Sequence, residues 1–154
     1  MDDVEEIKKL KARYFRGLDT QDWELYESVF AEDIVVDLTR AGGEKFEGRK
    51  AFMAYATAMP MVQSVHHGHM PEIDLTGPAT ATGVWVLEDY NIWQDGSQNH
   101  GWGHYLETYV KRDGRWQIKT MALSYLRVEQ PTAKPALIAG PEGRAHLRGE
   151  RPAG

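Results

Sequence analysis

The densest group of side chains able to exchange protons near neutral pH is Val65-His66-His67-Gly68-His69. On an extended strand neighbouring side chains take opposite faces, so His67 and His69 share one side while His66 looks to the other. Ligation of one ion by all three is therefore awkward, and no metal is expected. His66 is a candidate general base, set against the plainer reading of a hydrogen-bonded structural histidine. Asp19 falls where a first helix should end, and a carboxylate there meets the negative end of the helix dipole, at a cost of roughly 0.3–1 kcal/mol. A histidine could compensate it. A buried Asp–His pair would also fix the imidazole tautomer, as a base working at neutral pH requires. The alternative is that Asp19 caps the following turn from solvent.

Glu88-Asp89 follows Trp85 and Leu87 in a strand that otherwise lacks charge, and alternation puts Asp89 on the side of Trp85 and Leu87. That carboxyl group is either at a wet strand end or in a pocket. Arg127 is either a cation that holds a substrate oxyanion or a solvent-facing arginine. Five Trp, seven Tyr and six Met in 154 residues favour an aromatic-lined cavity, although packing alone would also use them. Met53, Trp85, Trp102 and Tyr125 are candidate apolar walls of such a cavity, and equally candidates for plain core.

These residues need elements to hold them. Ile7, Leu10, Tyr14 and Leu18 recur at steps of three and four, which predicts an amphipathic helix over residues 3–19 with Tyr14 pointing inward. Asp22 is a plausible N-cap for a second short helix carrying Leu25, Val29 and Phe30. Residues 34–38 are β-rich, Gly42-Gly43 breaks the chain, and a third helix over residues 49–59 stops at Pro60. Strands are predicted over residues 64–73, 79–93, 98–111 and 115–128. Helices followed by an antiparallel meander make an α+β fold. Asp113-Gly114 is the strongest hairpin signal. A two-residue turn there, continued without interruption, sets His100 opposite Arg127, Trp102 opposite Tyr125 and His104 opposite Leu123, all on one face. Residues 1–129 form the expected domain. Residues 130–154, with four prolines and no periodicity, are expected to be a disordered tail or an arm ordered only by packing on the body or a neighbour.

Composition closes off other classes. The absence of cysteine excludes disulfide scaffolds, thiolate nucleophiles and Cys-ligated zinc. A net charge of -5 repels a phosphate backbone, so neither nucleic acid nor a membrane is an expected partner. No stretch is long and apolar enough to span a bilayer, the acidic N-terminus is unlike a signal peptide, and a cytoplasmic location is expected. Residues 43–50 carry Arg49-Lys50 where a phosphate loop needs Lys followed by Ser or Thr. Gly101-Trp102-Gly103 lacks the third glycine of a dinucleotide turn, and there is no Gly-x-Ser-x-Gly elbow.

The runs Glu6 to Asp19 (EIKKLKARYFRGLD), Val65 to Ile73 (VHHGHMPEI), Ala79 to Asp89 (ATATGVWVLED) and Tyr109 to Trp116 (YVKRDGRW) together resemble the SnoaL-like family of the nuclear transport factor-like superfamily. Within it the pattern is most like bile-acid 7α-dehydratase, and more distantly like scytalone dehydratase and hexachlorocyclohexane dehydrochlorinase. The resemblance implies a cone of curved antiparallel sheet whose wide mouth is closed by helices around a deep pocket. It implies cofactor-free acid–base elimination there, hence a lyase of the dehydratase kind acting on a steroid- or polyketide-like ring. Tyr14, Asp19, His66, Asp89 and, with two residues inserted after Trp116, Arg127 match the family's catalytic positions. Gly101-Trp102-Gly103-His104 departs from the family's pattern, so His104 would add a polar group to a pocket of different shape. The relatives suggest a homotrimer, with a dimer as the alternative. An isomerase or cyclase using the same base, or a non-catalytic binding module of the same fold, are the competing functions.

Overall fold

The computed structural model describes residues 2–150. Helix α1 (Asp3–Thr20) is capped by the Asp2 carboxylate, which accepts from the Val4 amide at 3.0 Å, and buries Ile7, Leu10, Tyr14 and Leu18 on one face. Helix α2 (Trp23–Ser28) starts at Asp22, whose side chain accepts from the Leu25 amide at 3.1 Å. Asp22 thus fills the capping role and Asp19 is left for another. A Cβ on Gly17 would lie 2.8 Å from the Tyr26 backbone nitrogen, so glycine is what lets α1 and α2 meet this closely.

Strand β1 (Phe30–Asp37), a single 3₁₀ turn (Thr39–Ala41), the short strand β2 (Lys45–Glu47) and helix α3 (Arg49–Ala58) follow. The long strands β3 (Met61–Gly77), β4 (Thr80–Trp93), β5 (Gln98–Arg112) and β6 (Arg115–Glu129) complete an open, curved sheet in the order β2-β1-β6-β5-β4-β3. All neighbours are antiparallel except β1 and β6, which run parallel. The α+β class expected from the element order is what forms. Helices α1, α2 and α3 cover the concave face, where Phe30, Ile34, Val36, Leu87, Tyr105, Tyr109, Ile118 and Met121 are buried against them.

One register expectation fails, and its cause is local. Beside the Asp113-Gly114 turn the pairing is as predicted, with Arg112 opposite Arg115 and Tyr109 opposite Ile118. The register then shifts between Thr108 and Tyr109, and again between Trp102 and Gly103, each time by one residue on β6. Two such bulges turn alternate side chains over. Trp102 therefore faces Arg127, His104 faces Ser124, and Tyr125 pairs with Gly103. His100, Trp102 and His104 lie on the outer face of the sheet while Tyr125 stays on the inner one.

The segment after β6 lies against the body. It includes helix α4 (Pro141–Leu147), which the sequence pattern did not announce. Gln98 donates to the Ala133 carbonyl at 3.0 Å, and Arg148 donates to the Thr20 carbonyl at 2.7 Å, at the end of α1. No helix among the described residues is long and apolar enough to cross a membrane.

Candidate active site

Between the sheet and the helices is a cavity of about 480 Å³, within the range of small-molecule sites. Its floor and walls come from α1 (Tyr14, Leu18), α3 (Phe52, Tyr55) and the inner faces of β3 to β6, and the loop around the 3₁₀ turn sits at its mouth.

His66 projects inward from β3. Its Nδ1 lies 2.7 Å from Asp19 Oδ1, and its own backbone amide donates to Asp19 Oδ2 at 2.7 Å. Ser64, two residues earlier on the same face, adds a hydroxyl donor to Asp19 Oδ1 at 2.8 Å. Hydrogen bonds to a charged group contribute about 1.5–3 kcal/mol each, so these donors outweigh the dipole cost of a carboxylate at the end of α1. Because a carboxylate can only accept, Nδ1 carries the proton and Nε2 presents its lone pair. That Nε2 atom lies 3.9 Å from Asp89 Oδ2, the nearest charged group on the far side of the ring.

Asp89, on β4, is 1% exposed. Tyr125 donates its hydroxyl to Asp89 Oδ2 in a short contact. A Cβ on Gly101 would stand 2.3 Å from the Tyr125 ring and 2.6 Å from Asp89 Oδ1, so only glycine leaves space for this pair. Burial, then the neighbouring Asp89 charge, push the Tyr125 phenol well above its ordinary pKa. Asp89 Oδ1 and Asn91 Oδ1 are buried beside the cavity and have no hydrogen-bond partner among the described residues.

Tyr14 is 3% exposed and hydrogen-bonded to Tyr26 and Tyr105, and all three phenols line the cavity. Burial raises each of them far above the usual tyrosine value, so they remain donors at any working pH.

The structure thus brings Tyr14, Asp19, His66, Asp89 and Tyr125 together. It does not bring the other candidates there. Arg127 is on the outer face, ion-paired with Glu129 and 5.7 Å from the Trp102 ring. The bulge on β6 between Tyr125 and Arg127 is what carries Arg127 away from the cavity, while the regular alternation of β5 puts Trp102 and His104 on the outer face. Trp85 is core under α1 and donates to the Tyr109 hydroxyl at 2.9 Å, while Met53 is buried in α3 outside the cavity lining. Sequence reasoning missed Ser64 and Asn91. Each lies two residues from a chosen acid or base on the same strand face, so the period of two could have found them. It also missed Tyr26, Tyr55 and Tyr105, which nothing local distinguishes from core.

The sequence profile of the SnoaL-like domain matches residues 1–122. The chain belongs to the SnoaL-like family. Solved structures similar to this SnoaL-like chain include a type 2 hexachlorocyclohexane dehydrochlorinase, LinA, at 16% identity and a TM-score of 0.77, covering 87% of this chain and 95% of that one. A candidate scytalone dehydratase from Novosphingobium aromaticivorans shares 23% identity at a TM-score of 0.74, with 92% and 94% covered. A protein of unknown function from Mycobacterium tuberculosis shares 25% identity at a TM-score of 0.70, with 95% and 92% covered. These likenesses establish the nuclear transport factor-like fold, which dehydratases and dehydrochlorinases share.

Proposed function

We propose that this SnoaL-like protein is a cofactor-independent lyase that removes a β leaving group, water in the simplest case, from a hydrophobic ring substrate of steroid or polyketide type. The observation that carries the reading is His66, held by Asp19 through Nδ1 with Nε2 turned toward an apolar cavity. Nε2 takes a proton from a carbon next to a carbonyl group, and the C–H electron pair moves into an enolate. Collapse of the enolate forms the C=C bond and breaks the bond to the leaving oxygen, which takes the proton back from His66 and departs as water. Tyr14, kept protonated by burial, donates a hydrogen bond to the developing oxyanion. The unpartnered oxygens of Asp89 and Asn91 accept from substrate hydroxyl groups and orient the ring. Two buried acceptors without a hydrogen-bond partner among the described residues favour a ligand bearing hydroxyl donors over a purely hydrocarbon one.

The test is a panel of hydroxylated 3-oxo steroids and related ketols, followed by the ultraviolet absorbance of the conjugated enone. A positioned base contributes about 10²–10⁴ in rate, so His66→Ala should lose that much turnover while still folding to the native structure. Undiminished turnover in that variant would remove the mechanism.

A further inference from the structure

On the outer face of the sheet, opposite the cavity, His67 pairs across β3 and β4 with Glu88, and His69 lies one step along β3 on the same side. One imidazole nitrogen from each histidine and one Glu88 oxygen all fall within 4.8 Å of one another. The two rings meet edge to face with centroids 5.8 Å apart, both are exposed, and neither makes a hydrogen bond among the described residues. Glu88 is different. His100 Nε2 at 2.9 Å and the Tyr90 hydroxyl at 3.0 Å both meet Oε1 and leave Oε2 to the histidines. His100 is itself stacked between the rings of Tyr90 at 3.6 Å and Trp102 at 3.8 Å, so the carboxylate is held by a rigid support. These partners hold Glu88 as a carboxylate, the His100 contact contributing most to lowering its pKa.

We propose that His67, His69 and Glu88 form a binding site for a divalent transition-metal ion of the zinc class, separate from the cavity. The donor set is two neutral imidazoles and one carboxylate, the composition of three-ligand zinc sites that keep a fourth position for water. A tetrahedral ion holds its donors about 3.4 Å apart, a tightening of up to about 1.4 Å that exposed histidine side chains reach by rotation. A carboxylate ligand anchored by further hydrogen bonds is what such a site needs behind its first contacts. The ion requires a donor from the neighbouring strand, which is why the three-histidine arrangement on β3 alone fails. His66 points to the opposite face and takes no part.

The experiment is titration of the untagged, chelator-treated chain with zinc chloride, read by calorimetry, with metal content measured after gel filtration. One saturable equivalent per chain is expected. Affinity should fall at least about tenfold in His67→Ala, His69→Ala and Glu88→Gln, and by about tenfold in Tyr90→Phe, which removes one support of Glu88. His66→Ala should bind zinc as the parent does, so the result does not depend on the elimination chemistry. Absence of saturable uptake, or equal uptake by a variant lacking all three donors, would overturn the proposal.

Discussion

Two sets of interior polar side chains, one fully buried and one partly so, stand back to back across the rings of Tyr14 and Tyr105, and they differ in how completely their partners are supplied. On one side Lys11 and Glu107, both without solvent exposure, meet at 2.5 Å. Tyr109 donates to the second Glu107 oxygen at 2.5 Å, and Trp85 donates to Tyr109. The Lys11 ammonium also sits 3.8 Å from the Tyr14 ring and 3.5 Å from the Tyr105 ring. Burial pulls its pKa down to about 8 against the opposing pull of Glu107. On the other side Asp19, His66, Asp89 and Tyr125 also bond to one another, yet among the described residues they leave Nε2 of His66 and the Oδ1 atoms of Asp89 and Asn91 without a hydrogen-bond partner. Asp89 is as buried as Lys11 and Glu107, so burial by itself does not mark the functional set. The unfilled valence does. The closed set orients α1 on the sheet, and through the rings above Lys11 it orients the phenols that the open set uses.

The sharpest way to break this comparison is Lys11→Met, which leaves Glu107 charged and alone in the core. Removing one partner of a buried pair costs about 3–5 kcal/mol, which in a domain of this size lowers the melting temperature by roughly 6–20 °C. Adding Glu107→Gln should recover more than half of that loss in the same melting scans. Recovery would assign the penalty to the stranded charge instead of to lost packing.

A broader probe uses the shared phenols. Tyr14, Tyr26 and Tyr105 have folded-state pKa values raised far above the unfolded value of about 10, with burial the main cause. Their contribution to stability is fully present below pH 10, where folded and unfolded chains are both protonated. It is lost as pH climbs from there towards the folded values, because only the unfolded chain releases protons. Between pH 10 and 11 the loss is roughly 1 kcal/mol for each tyrosine. Urea unfolding at the two pH values should show the midpoint falling. An unchanged midpoint would mean that the phenols are not sealed.

On the open side, Tyr125→Phe removes the donor that holds the buried Asp89 and should lower turnover about tenfold, near 1.4 kcal/mol, together with a loss of roughly 1–3 kcal/mol in stability. The smallest effect belongs to Arg127→Ala. An exposed ion pair contributes about 0–1 kcal/mol, and the side chain is remote from the cavity, so turnover should stay within about twofold of the parent. A loss comparable with that of His66→Ala would return Arg127 to the site.

Much of the frame was legible because local rules govern it. The helical step of Ile7, Leu10, Tyr14 and Leu18, the Asp22 cap and the Asp113-Gly114 turn each act within a few residues, and the structure keeps all of them. Asp89 was placed on the inner face by simple alternation along an unbroken part of β4, next to Leu87 and Asn91. Arg127, Trp102 and His104 were misplaced because alternation was carried through two bulges that leave no mark in the sequence. Bulges arise where a curved sheet must bend over its helices, and that bending is set by packing partners far away in the chain.

The sequence by itself determined which groups could do chemistry, which of them share a strand face, and the family to which residues 1–122 belong. Only the tertiary structure decided which groups meet. It set Asp19 against His66 across 47 residues, divided the histidines of β3 between a cavity and an outer face, and turned Arg127 away. Contacts of that kind depend on sheet curvature and on the seating of α1, and these emerge only when the whole core packs at once.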